Sequence, residues 1–293
     1  MARARTWREL KDLLRNRGFR PNKRLGQNFL LSPDALSTIV QAADVKQGDK
    51  VVEVGVGAGT LTGHLLDAGA EVLGIEVDRK LVGVTNEQFG DYKRLELMLQ
   101  SVMGKGKNLG EQFLSRLRSL RASGGYKLVA NLPYNISTPL LCEIMREDVR
   151  PSRMSVLVQK DFAARLCSEP GSKNYSPVSV YSAVFGHAKV VQDIPPELFW
   201  PVPAVKSSVV AWVEKDEPPR FDDEDLFFDL VAGMFLMRRK KLSNVMKMLV
   251  KVNDSLSGIL DVEALEKAGI DPDSRVESVP SGRFVKLYEV LRG

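Results

Sequence analysis

Val51-Val52-Glu53-Val54-Gly55-Val56-Gly57-Ala58-Gly59 is the stretch that decides the fold, together with the next two segments, Thr60 to Ala68 and Glu71-Val72-Leu73-Gly74-Ile75-Glu76. The β-branched run reads as a buried strand, the glycines as a tight turn, Thr60 to Ala68 as a helix and Glu71 to Glu76 as a second strand. Working outward, Lys127 to Ala130 and Ser155 to Gln159 read as further buried strands, and Val205 to Val213 as an edge-type strand that ends the first domain. Strands alternating with helices predict a mainly parallel, doubly wound α/β sheet. Ligands in such sheets bind at the carboxyl ends of the strands.

The pattern changes on either side of this unit. Residues 1–30 hold nine basic side chains, among them Arg20, Lys23 and Arg24, against Glu9 and Asp12. Trp7, Leu10, Leu13 and Leu14 recur there at helical spacing, so this basic N-terminal arm contains a short amphipathic helix. An Arg-rich amphipathic arm also suits a mitochondrial presequence, but the two acids, the lack of serine and the motif at Gly26 to Leu30 argue against it. Beyond Glu217-Pro218-Pro219 and the acidic run Asp222 to Asp225, Phe227, Leu230, Val231 and Met234, then Leu242, Val245, Met246 and Leu249, keep helical spacing. These boundaries predict an arm at 1–30, an α/β domain at 31–215 and a smaller helical domain at 216–293.

The 293 residues carry a net charge of +5, and with about +7 in the arm the remainder is slightly acidic. A second basic run, Arg238-Arg239-Lys240-Lys241, read here as part of a basic helix, stands far from the first in sequence. Two such runs suit a polyanion held at two places. Cys142 and Cys167 are too few for a disulfide framework or a cysteine zinc site, and His64 and His187 too scattered for a metal cluster, so no metal is expected. No apolar run approaches the roughly 20 residues that span a bilayer, which predicts a cytoplasmic protein without a membrane partner.

The glycine turn spaces its residues G-x-G-x-G, with Thr60 where a dinucleotide fingerprint would want its third glycine, and it lacks the Gly-Lys-Ser/Thr of a phosphate loop. Glu76 ends the second strand about 20 residues on, where a carboxylate accepts both hydroxyls of a ribose. A glycine turn with a ribose acid and no phosphate signature fits S-adenosyl-L-methionine. At another strand end stands Asn131-Leu132-Pro133-Tyr134. An exocyclic adenine amine is a poor nucleophile because its lone pair is conjugated into the ring. The Asn131 amide oxygen and a backbone carbonyl at Leu132 or Pro133, placed to accept the amine hydrogens, would make that nitrogen more tetrahedral. Pro133 fixes the local backbone, and Tyr134 offers a stacking face. Taken alone, the four residues also read as a proline turn with a buried tyrosine.

Together these motifs resemble the ribosomal RNA adenine N6,N6-dimethyltransferase family, over roughly Phe19 to Val290. The resemblance rests on Lys23 to Leu30, Glu53 to Gly59, Gly74 to Asp78, Asn131 to Ser137, Val158-Gln159-Lys160 with Pro170 to Tyr175, Phe199-Trp200-Pro201-Val202-Pro203 and Arg238 to Leu242, in that order. It implies a Rossmann-like seven-stranded methyltransferase sheet with a helical C-terminal domain, acting as a monomer on small-subunit ribosomal RNA or the immature small subunit. Gln27, Asn28 and Leu30 would meet the methionine end of the cofactor, with Glu53, Gly55, Gly57 and Gly59 around its floor and Glu76 on its ribose. Asn131, Leu132, Pro133 and Tyr134 would hold the target adenine, with Asn131 also near the cofactor and Phe199 over the base's other face. Arg20, Lys23, Arg24, Arg238, Arg239, Lys240 and Lys241 would contact RNA. No general base is expected, so catalysis rests on orienting and polarising the amine.

Two positions depart from the family pattern. Gln100-Ser101 comes after the third strand where members carry Gly-Asp, whose acid takes the amine of the cofactor's adenine; Ser101 offers only a neutral acceptor. Ala204 stands where lysine is frequent. The rival readings are a large-subunit adenine methylase of the macrolide-resistance type, which has isoleucine in place of Leu132, and an RNA-binding assembly or transcription factor that kept the fold and lost turnover.

Overall fold

The computed structural model describes residues 6–106, 108–252 and 260–293; the side chains of Lys23, Lys251 and Val252 fall outside that description, as do Arg3 and Arg5. Its strands are β1 (Phe29–Leu30), β2 (Lys50–Val54), β3 (Glu71–Glu76), β4 (Leu95–Leu99), β5 (Lys127–Asn131), β6 (Arg153–Gln159), β7 (Gly186–Ile194), β8 (Phe199–Trp200) and β9 (Ser207–Glu214). Seven of them form one sheet in the order β4-β3-β2-β5-β6-β9-β7, and β1 pairs with β8 in a two-stranded antiparallel sheet. From β4 to β6 every pairing is parallel; β9 runs antiparallel to β6. The strand order turns back between β2 and β5, and the crevice at that switch point opens at their carboxyl ends.

β2, β5 and β6 bury nearly every side chain, which is why they read as continuous apolar runs in sequence. β9 corrects one expectation. It lies between β6 and β7, with its first six residues buried, and not at the edge of the sheet. β7 takes the edge, and its central residues are exposed. Sequence patterning concealed it, because His187, Lys189, Gln192 and Asp193 interrupt any apolar period.

The chain falls into two compact units. One comprises the chain up to Ile144 with Asp148–Ala163 and Lys189–Val213; the other, Met145–Glu147 with Ala164–Ala188 and Glu214–Gly293. In the first, the helix Trp7–Asn16 begins in a reciprocal cap: the Thr6 hydroxyl accepts from the Glu9 N–H (3.2 Å), and the Glu9 carboxylate from the Thr6 N–H (3.0 Å). Its apolar face buries Leu10 and Leu14 against Phe19, Phe29, Ala58, Leu81 and Val84.

In the second unit the helices Pro177–Phe185, Glu224–Phe235 and Ser281–Arg292 enclose an aromatic core of Phe185, Phe221, Phe227, Phe228 and Tyr288. The acidic run starts a helix as its composition suggests: Asp223 accepts from the Leu226 N–H at 2.9 Å. The basic run is a second correction. Arg238 to Lys241 form no helix but the turn before Leu242–Val252. The backbone there is drawn to a neighbouring loop, since the N–H groups of Leu242 and Ser243 bond the carbonyls of Ser274 and Pro272 (3.0 and 2.9 Å).

Candidate active site

One cavity at the carboxyl ends of β2, β3, β4 and β5 gathers most of the residues singled out from sequence. Glu76 closes β3 with both oxygens engaged. Oε1 accepts from the N–H groups of Val77 (2.8 Å) and Asp78 (2.9 Å), and Oε2 from that of Gly57 (2.9 Å). Burial raises its pKa, opposed by those three bonds. Glu53, in the next strand, is 1 % exposed and accepts the Thr62 hydroxyl at 2.7 Å. Burial above all, with the nearby charge of Glu76, pushes its pKa up to about 8, which favours the protonated acid at neutral pH.

The glycines serve protein packing as much as any ligand. Gly55 and Gly57 take φ of +77° and +60°, which L side chains rarely adopt. A Cβ on Gly55 would lie 3.0 Å from the Pro133 ring, and one on Gly57 3.1 Å from that of Phe29. Both residues line the cavity; Gly59, which faces Phe89 and Thr85, does not.

Residues 25–29 line the cavity as a strap. Gln27 donates to Asp78 Oδ2 (3.0 Å) and accepts from the Asn22 N–H (2.7 Å), while Asn28 donates to the Gly26 carbonyl (3.1 Å). The strap continues into β1, where Leu30 is core and does not line the cavity. Leu30 pairs with Phe199 of β8, which is likewise 1 % exposed and absent from the cavity wall.

At the end of β5, Asn131 donates its amide N–H to the Asn28 carbonyl at 2.9 Å. That bond fixes which way the amide faces and leaves Oδ1 an acceptor without a partner among the described residues. Of the two backbone carbonyls open from sequence, Pro133 is occupied: it accepts from the Ser137 hydroxyl (3.0 Å) and from the N–H groups of Ile136 and Ser137 (3.1 and 3.2 Å). The Leu132 carbonyl is the one left without a partner among the described residues. Tyr134 lines the cavity, its phenol 2.6 Å from Ser207 Oγ, and burial raises its pKa.

Gln100 and Ser101 line the end of the cavity nearest β4. The Ser101 hydroxyl turns back on its own chain, donating to the Met103 carbonyl (2.8 Å) and accepting from the Met103 N–H (3.2 Å). Gln100 Nε2 is buried without a partner among the described residues. This end and the Glu76 carboxylate suit a nucleoside: an acid for the ribose, the apolar Val77, Leu81 and Val102 for a base, and an unpaired amide beside them. The residues present therefore fit the cofactor that the sequence implies.

The basic residues divide between the units. Arg20 and Arg24 are exposed in the first; the Lys23 side chain lies outside the described residues. In the second, Arg238 is committed to Glu277 (2.7 Å) and the Ser172 carbonyl (3.0 Å), and Lys241 pairs with Asp273 (3.1 Å). Arg239 and Lys240 are exposed and have no acidic partner among the described residues.

The model of the family described as ribosomal RNA adenine dimethylase matches residues 18–292. This protein belongs to that family. It is 32% identical over 282 residues to a ribosomal RNA small subunit methyltransferase A of Clostridium botulinum, covering 96% of this chain and 98% of that one. With a relative of the same name from Clostridium perfringens it shares 34% identity, over 96% and 94% of the two chains. Among solved structures, a dimethyladenosine transferase from Plasmodium falciparum superposes with a TM-score of 0.67 at 22% identity, over 88% of this chain and 95% of that one. A 23S ribosomal RNA methyltransferase reaches 0.63 at 18%, over 90% and 100%. At those identities the two structures establish the shared fold, the seven-stranded methyltransferase sheet with a helical C-terminal region. The adenine dimethylase is an enzyme, and its cofactor is S-adenosyl-L-methionine.

Sequence reasoning passed over several residues that support the candidate site of this dimethylase. Asp78 and Gly26 fall inside the sequence motifs, yet only the fold reveals that Asp78 accepts from Gln27 and that a Cβ on Gly26 would lie 2.9 Å from Asn135 Oδ1. Ser207, 73 positions from Tyr134, carried no signal at all.

Proposed function

We propose that this dimethylase transfers two methyl groups to N6 of each of two adjacent adenosines near the 3′ end of small-subunit ribosomal RNA during ribosome biogenesis. The observation that carries the reading is the Asn131–Asn28 bond, which commits the amide N–H of a cavity-lining residue and leaves its oxygen without a partner among the described residues. The names of the clostridial relatives support the small subunit over the large one. Two exposed basic clusters, Arg20 with Arg24 and Arg239 with Lys240, suit phosphate contacts with the RNA. No helix among the described residues is long and apolar enough to cross a membrane.

When bound, the cofactor supplies an electrophilic methyl group on a sulfonium, an intrinsically good leaving group. Everything else falls to the chain. Asn131 Oδ1 and the Leu132 carbonyl accept the two amine hydrogens and turn the nitrogen lone pair out of conjugation, ready for attack. Tyr134 stacks on the splayed base, and Glu76 takes the ribose hydroxyls. The proton leaves once alkylation has begun, so no side chain need act as base. A monomethylated amine keeps one hydrogen, so the second transfer engages one of the two acceptors.

Single-turnover incorporation of labelled methyl into immature small subunits, read out by primer extension, tests this. The expected stops fall at two adjacent adenosines near the 3′ end. Stops in large-subunit RNA would overturn the subunit assignment, and tight RNA binding without methyl incorporation would end the enzymatic reading.

A further inference from the structure

We infer that Ser207 is a positioning residue for methyl transfer, holding the plane of Tyr134 against the target base. The inference rests on the reading of Asn131 to Tyr134 as the target-adenine pocket. Asn131 faces Leu157 across the β5–β6 ladder, and Leu157 faces Val209 across the β6–β9 ladder. β5 and β9 therefore stand two strand spacings apart, about 10 Å. Tyr134, three residues past the end of β5, reaches over the end of β6 and meets Ser207, the first residue of β9, at 2.6 Å.

The anchor is rigid. Ser207 is fully buried, and its backbone is in register with Gln159 in the ladder. On one side of it the Lys206 carbonyl accepts from the Lys160 N–H at 2.9 Å. On the other, the Ser208 hydroxyl donates to Asp193 Oδ1 at 2.7 Å, and Asp193 is itself paired with Lys160. The tyrosine is thus held at both ends, by backbone on the Pro133 side and by hydroxyl on the β9 side. An untethered ring swings about its first torsion and presents a range of planes to a base. With no general base in the site, the rate depends on the angle at which the amine meets the methyl group, and a stacking face of fixed plane sets that angle. Burial keeps the phenol protonated, so it can donate to or accept from Ser207 throughout the neutral range.

The test is a double-mutant cycle on the full-length protein with immature small subunits: Ser207→Ala, Ser207→Thr, Tyr134→Phe, the Ser207→Ala/Tyr134→Phe pair, and Tyr134→Ala as a reference. Ser207→Ala and Tyr134→Phe should each slow single turnover at saturating RNA by about three- to tenfold, the worth of one hydrogen bond. The pair should be no slower than either alone, and Ser207→Thr should restore the rate. Monomethylated adenosine should accumulate in the two slow variants, while calorimetric affinity for S-adenosylhomocysteine stays at the wild-type value. A wild-type rate for Ser207→Ala beside a crippled Tyr134→Ala, or independent losses that multiply in the pair, would overturn the inference. A wild-type rate for Tyr134→Ala would instead overturn the pocket reading on which it rests. Should Ser207→Ala unfold, Ser207→Thr against Tyr134→Phe still decides: the threonine must keep the rate that the phenylalanine loses.

Discussion

At the end of β5 the polar groups that would meet the target base are oriented by the protein. Asn131 is held by the Asn28 carbonyl and Tyr134 by Ser207, while Ser137 ties down the Pro133 backbone that lies between them. At the end of β4, on the other side of the same cavity, the Ser101 hydroxyl is spent on its own turn and the Gln100 amide nitrogen has no partner among the described residues. The contrast has a chemical reason. A reaction without a base draws its rate from alignment, so the reacting end needs preorganised acceptors. The nucleoside end needs only affinity, and loose groups there cost binding, not turnover.

The largest loss is expected at the rigid end. Asn131→Ala removes a preorganised acceptor and should lower the single-turnover rate about a hundred- to a thousandfold. RNA affinity, measured by filter binding at fixed salt, should change little. A loss confined to RNA affinity would mean that Asn131 holds the base without polarising it. Glu76→Gln comes next and acts on binding. It keeps the shape of the side chain but removes the charge and turns one of the two acceptor oxygens into an NH2 donor facing a backbone N–H, at a cost of at least about tenfold in the calorimetric affinity for S-adenosylhomocysteine. An unchanged affinity would remove Glu76 from the ribose.

Much of the rigid end was legible in sequence, and the reason is local. Asn131 to Tyr134 is one contiguous motif directly after an apolar run, so its residue types and its place at a strand end are read together. What orients those residues is not local: Asn28 lies 103 positions from Asn131 and Ser207 73 from Tyr134, and nothing in either segment announces the other. The fold shows the same division. β2, β3, β5 and β6 are apolar runs buried in the sheet, and sequence finds them. β7 hides because an edge strand has no need of an apolar face, and the interior place of β9 is a matter of strand order, which no local pattern encodes. Leu30 and Phe199 mark the limit of motif reading. Both belong to motifs of the site, yet both side chains are buried in the core, joined by the β1–β8 pairing.

The loose end offers a gain where the rigid end offers only losses. Ser101→Asp reaches further than the serine, so one oxygen can cap the Met103 N–H while the other faces the cavity. Affinity for S-adenosylhomocysteine should tighten about three- to tenfold, the difference between a charge-assisted and a neutral hydrogen bond. The methyl-transfer rate at saturating cofactor should stay where it is, because alignment is set at β5. A rise in that rate would show that the two ends are coupled and that slack at β4 reaches the reacting atoms.

The smallest lever lies beneath the glycine turn, where Glu53 and Glu76 differ in what they accept. Glu76 takes three backbone N–H bonds, but Glu53 has the Thr62 hydroxyl and is buried more deeply, with its pKa raised from 4.5 to about 8. Between those two values the folded protein keeps a proton that the unfolded chain has already released. The folded state then binds more protons, so this residue's contribution to stability falls as pH rises from about 4.5 to about 8 and is level above that. Glu53→Gln keeps the bond from Thr62 and has no proton to lose. Its Tm relative to wild type should therefore climb by roughly 5–10 °C between pH 5 and pH 8, then level off. A Tm difference that is flat across that window would mean that Glu53 is ionised in the fold. The cavity floor would then carry two neighbouring negative charges, one held by three backbone N–H groups and the other by the Thr62 hydroxyl alone.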